Sequence, residues 1–103
     1  MTGDRITKLQ SMADRNPSDP RPLFGLAAEY EKLADWAAVV DLLERYLAEA
    51  DDQGNAWGRL ATAFEHLGRI EEVRTALTRG VAAATQHGHP GMAAEFEERL
   101  EDL

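Results

Sequence analysis

The chain has 103 residues, is 44% apolar and 29% charged, contains no cysteine and carries a formal net charge of −8. That length supports one domain, that composition is a folded chain's, and the acidic field opposes phosphate backbones and anionic lipid, so neither nucleic acid nor membrane is an expected partner. The absence of cysteine excludes disulfides, thiolate metal sites and thiol nucleophiles; MTGDRITKLQ has no apolar signal core and no run reaches the roughly 18 apolar residues of a membrane span, so the expected location is the cytoplasm.

Apolar residues recur at i, i+3, i+4 and i+7, and no alternating stretch bounded by turns stands out, which reads as all-α. The first helix is predicted over 4–15, with Ile6, Leu9, Met12 and Ala13 on one stripe. NPSDP at 16–20 interrupts it. Asp19 before Pro20 supplies an N-cap acceptor and a proline at the first helical position, starting a helix over 20–33. Asp35 caps a third helix over 36–50. After Asp51–Gly54, Asn55 is expected to cap a fourth over 55–67, which Gly68 closes in the left-handed conformation. A fifth helix is predicted over 70–86. HGHPG at 87–91 leads into a sixth over 90–102, whose stripe is Met92, Ala93, Phe96, Leu100 and Leu103.

Residues 20–53 and 54–87 repeat each other at an offset of 34: Leu26/Leu60, Ala27/Ala61, Glu31/Glu65, Leu33/Leu67, Val39/Val73, Leu43/Leu77, Arg45/Arg79, Ala48/Ala82 and Ala50/Ala84 are identical pairs. Leu23/Trp57, Tyr30/Phe64 and Leu47/Val81 are conservative ones. Two helices per period of 34 is the pattern of a helical repeat, in which each hairpin buries its apolar face against the next.

Trp57, Leu60, Ala61 and Phe64 in one copy, and Leu23, Leu26, Ala27 and Tyr30 in the other, resemble the first-helix pattern W-x2-L-G-x2-Y of the tetratricopeptide repeat family. Val39 with Leu43 and Val73 with Leu77 fall on its second-helix positions, and Pro17 and Leu9 place the N-terminal stretch in the same register. The chain departs from the family in having Ala for the small Gly of the first helices, Val for the small Ala of the second, and Asp51 and Thr85 for the terminal proline. The resemblance implies an α-α superhelix, a TPR-like solenoid of about six antiparallel helices in a right-handed stack. As a single domain over 1–103 it divides into a half repeat at 4–19, repeats at 20–53 and 54–87, and a C-terminal capping helix at 88–103. Polar outer faces on the first and last helices suit a complete minimal array.

No catalytic constellation is visible. Ser11 and Ser18 lack a nucleophile elbow or phosphate loop, and Glu71-Glu72 and Glu97-Glu98 read as solvated helix faces. His87 and His89 read as turn and capping residues in a loop-forming context, not as a metal pair lacking a third ligand. The expectation is a non-enzyme without cofactor or metal.

The resemblance further implies that the first helices line a concave groove into which Arg21, Phe24, Ala28, Glu31, Lys32, Asn55, Gly58, Thr62, Glu65 and His66 point, with Arg59 beside them. Ala28, Gly58 and Thr62 would form a small-residue floor, Phe24 an apolar anchor, and Arg21, Lys32 and Arg59 donors to acidic groups. Phe24 and Ala28 stand where the clamp for chaperone C-terminal carboxylates requires Lys and Asn, so that clamp is missing. The expected function is a protein–protein interaction module binding a peptide or helix of a partner, as a monomer or weak homodimer. The alternative is a self-assembly element in which Trp36, Tyr46 or the terminal helices pair two copies.

Overall fold

The computed structural model describes residues 2–103, with side chains from Gly3 onward. It contains six α-helices and, among the described residues, no strand: α1 Thr2–Arg15, α2 Arg21–Lys32, α3 Trp36–Glu49, α4 Asn55–His66, α5 Ile70–Gln86 and α6 Pro90–Glu101. These helices fall into two compact units, residues up to Ala50 and Asp51–Leu103. In the first, α2 packs against both α1 and α3; in the second, α5 packs against both α4 and α6.

Three helix endings share one geometry. Ala34, Gly68 and Gly88 have φ of 56°, 70° and 76°. At each, the next amide reaches back five residues: Asp35 N to Tyr30 O at 3.1 Å, Arg69 N to Phe64 O at 3.0 Å and His89 N to Ala84 O at 2.8 Å. This is the Schellman closure, which satisfies carbonyls that the helix leaves open. Glycine adopts the left-handed conformation freely, whereas Ala34 adopts it against its own Cβ. Ala34→Gly is therefore expected to raise the unfolding free energy by roughly 0.5–1 kcal/mol, and Gly68→Ala to lower it by a similar amount; urea denaturation of the two variants checks both signs.

The starts of the helices follow the expected chemistry in one case and depart from it in two. α2 begins at Arg21, with Pro20 and not Asp19 as its N-cap; Asp19 sits one residue earlier, its Oδ1 accepting from Arg21 N at 3.0 Å. Asp35 caps α3 as expected, its Oδ1 accepting from Ala38 N at 3.3 Å. Asn55, by contrast, is the first residue of α4 and not its cap. Asp52 reaches forward instead, its Oδ2 accepting from Gly54 N at 2.8 Å and from Ala56 N at 3.0 Å. Gly54 permits this because its φ of 127° is open to glycine. A Cβ there would lie 2.6 Å from Met92 Sδ.

Four of the repeated pairs form corresponding cores in the two units: Leu26/Leu60, Ala27/Ala61, Val39/Val73 and Leu43/Leu77 are all buried. Leu33 and Leu67, identical at the same offset, are 55% and 39% exposed. They occupy the C-cap positions of α2 and α4, where the chain turns away from the core. The terminal helices bury less than their stripes suggest. Among the described side chains of α1 only Ala13 is buried, with Ile6 and Leu9 half-buried and Met12 41% exposed; on α6 Ala93 and Phe96 are buried, while Leu103 beyond its end is exposed.

Candidate functional site

In the first unit, the residues predicted to meet a partner on α2 are largely engaged with their own neighbours. Arg21 holds Asp19 through two contacts, Nε to Oδ1 at 2.9 Å and Nη2 to Oδ2 at 2.8 Å. This keeps the Asp19 carboxyl below its ordinary range and raises the Arg21 guanidinium. The Phe24 ring lies 5.0 Å from that of Tyr46 on α3, tilted by 52°, and is half-buried. Ala28 and Glu31 are half-buried on the same helix.

Lys32 donates to Glu29 Oε1 at 3.2 Å, and Arg5 of α1 donates to the same oxygen at 2.5 Å. Glu29 is 2% exposed, the one buried charged residue among those described. Burial alone pushes its carboxyl up, but the hydrogen bonds and charges of Lys32 and Arg5 outweigh this and hold it below the usual glutamate range. A carboxyl whose pKa is depressed on folding contributes stability above its unfolded value, about 4.3, and loses it as pH falls through the lower folded value. The melting temperature should therefore drop as pH is lowered from 5 towards 3, and Glu29→Gln should make that drop shallower while lowering the melting temperature at pH 7. Calorimetry across the pH series measures both.

In the second unit the predicted residues gather around a cleft. Asn55, Gly58, Arg59 and Thr62 of α4 line a cavity of about 240 Å³ together with Met92, Glu95, Phe96 and Arg99 of α6. The α6 residues were not anticipated as site residues. They lie on the capping helix, outside the two repeats that carry the predicted site residues, so no repeat position points to them.

The structure places Phe96 over that glycine. A Cβ on Gly58 would lie 2.8 Å from Phe96 Cε1 and Cζ, and one on Gly80 of α5 would lie 2.8 Å from Phe96 Cδ2. Gly58 is thus buried beneath an aromatic ring and is not open floor. The cleft sits to one side of the ring, where Arg99 reaches across to α4: Nη2 donates to Thr62 Oγ1 at 3.2 Å and to Glu65 Oε1 at 2.5 Å, and Nη1 approaches the Gly58 carbonyl at 3.5 Å. Thr62 Oγ1 in turn donates to the Gly58 carbonyl at 3.1 Å. Glu65 and His66 are exposed at the end of α4.

The two turn histidines bind the segment that precedes α4. His87 Nε2 is 3.3 Å from Asp51 Oδ1, and His89 Nε2 is 2.6 Å from Gln53 Oε1. Among the described residues no three His, Asp or Glu side chains are grouped to hold a metal, and no helix is long and apolar enough to cross a membrane. The arrangement offers surface for non-covalent binding: a polar-rimmed cleft with an aromatic wall, on a helix fixed by its packing.

No protein-family model and no curated protein matches the chain. Among solved structures it is similar to PcrH, crystallised in complex with the chaperone binding region of PopD, with a TM-score of 0.86 and 19% sequence identity over 98% of this chain and 77% of that one. The fold is accordingly all-α and TPR-like, built of helix hairpins.

Proposed function

We propose that the protein is a tetratricopeptide-type interaction module that binds a peptide or helix of another protein through the first helices of its repeats, without catalysis or cofactor. In this reading the chain is one functional domain, with repeats at 20–53 and 54–87 flanked by a half repeat and a capping helix. The observation that carries it is the α4–α6 cleft, which gathers Asn55, Gly58, Arg59 and Thr62 on one wall. The likeness to PcrH, whose structure contains a bound segment of PopD, supports the same reading.

Affinity capture from the native source tests it, running wild type beside Arg59→Glu and Ala28→Arg variants whose folding is verified by circular dichroism. The expected result is a protein retained by wild type and lost by the variants, a short segment of which binds wild type one-to-one in calorimetry. Capture indifferent to both substitutions, or no segment that binds, would overturn the reading.

A further inference from the structure

The groups around the α4–α6 cleft differ in how much of their bonding capacity is used. Arg99 is committed to Glu65, Thr62 and the Gly58 carbonyl, and Arg59 is also engaged within the protein. Glu95 and Asn55 make no side-chain hydrogen bond or ion pair among the described residues, and Met92 and Phe96 form an apolar wall beside them. Counting Glu65 with Glu95, two carboxylates balance the two guanidinium groups. The sign of the site is then set by the rest of the molecule, which is −8 overall and adds Glu97, Glu98 and Glu101 along α6 and Asp102 just past its end. Such a field raises the local concentration of cations and lowers that of anions.

Resting on the peptide-binding reading above, we propose that this cleft receives a basic side chain, arginine or lysine, of the partner segment. The aliphatic stem lies along Met92 and Phe96, as long basic side chains cover apolar surface while their heads stay polar. The cationic head meets the Glu95 carboxylate and the Asn55 amide oxygen. This reverses the charge that sequence alone suggested. Of the three donors expected to receive acidic groups, Arg21 is taken by Asp19 and Lys32 by Glu29, so an acidic segment would have to break existing pairs while approaching an acidic protein.

Amide NMR titration of the whole chain with the blocked tripeptides acetyl-Ala-Arg-Ala-amide, acetyl-Ala-citrulline-Ala-amide and acetyl-Ala-Glu-Ala-amide tests the proposal. The arginine peptide should shift the amides of Asn55, Thr62, Glu95 and Phe96, and the isosteric citrulline and the glutamate peptides should not. The arginine affinity should fall with added salt and by about tenfold in Glu95→Gln, the loss expected for one charge-assisted contact. Glu71→Gln on α5 should leave it unchanged. Three titration results would overturn the proposal: preference for the glutamate peptide, equal shifts from citrulline, or arginine shifts spread over all exposed carboxylates and insensitive to Glu95→Gln. The interaction-module reading fails separately, through partner capture that ignores Arg59→Glu and Ala28→Arg; a partner whose captured segment contains no basic residue would sink the present inference alone.

Discussion

Replacing Phe96 with alanine is expected to lower the unfolding free energy by about 3–5 kcal/mol, the usual cost of deleting a buried aromatic ring. Phe96 is 5% exposed and its ring fills the space left by two glycines, Gly58 on α4 and Gly80 on α5. Its removal opens a cavity that neither glycine can relax into, because neither has a side chain to move. The reciprocal substitutions test the same contact from the other side: Gly58→Ala and Gly80→Ala each force a Cβ to within 2.9 Å of ring carbons, which should cost about 1–3 kcal/mol by overpacking. Urea denaturation of the three variants measures these effects. A loss below 1 kcal/mol for Phe96→Ala would mean that α6 is not fastened to α4 and α5 through this ring, and the cleft beside it would lose its wall.

The second large effect separates repetition from burial. Leu26→Ala and Leu60→Ala should each cost about 2–5 kcal/mol, since both side chains are buried at equivalent places in their units. Leu33→Ala and Leu67→Ala change the same residue type at positions that repeat just as faithfully, yet should cost no more than about 0.5 kcal/mol, as exposed surface substitutions do. Denaturation midpoints of the four variants decide whether the sequence repeat marks core positions or includes positions kept for another reason. Equal losses at all four would contradict the exposure of Leu33 and Leu67.

Much of the fold could be read locally. Helix periodicity, the capping by Asp35, and the left-handed closure at Gly68 depend on residues within a few positions of one another, and every helix boundary fell within two residues of its expected place. The binding surface could not be read in the same way. Asp52 displaced Asn55 in satisfying the first amides of α4 because the chain turns at Gly54, bringing amides two and four residues ahead within reach of its carboxylate. Arg21 and Lys32 looked like donors on an open face, but Asp19 and Glu29 lie within hydrogen-bond reach of them. In these cases the residue types were visible, whereas the identity of the partner depended on side-chain reach in space.

Sequence by itself therefore determined that the chain is helical and that it repeats at 34 residues, which follows from the period of the helix and the transfer of apolar side chains out of water. Which repeated positions are buried, Leu26 and Leu60 but not Leu33 and Leu67, was decided by packing. Only the tertiary structure decided which polar groups remain available. Packing α6 against α5 laid Phe96 over Gly58 and carried Arg99 to Thr62 and Glu65. Its consequence is that Glu95, a residue with no place in the repeat pattern, becomes the open carboxylate of the cleft. Hydrogen bonds and ion pairs between residues 34 to 41 positions apart are set by where helices meet, and no local pattern in the chain encodes that distance.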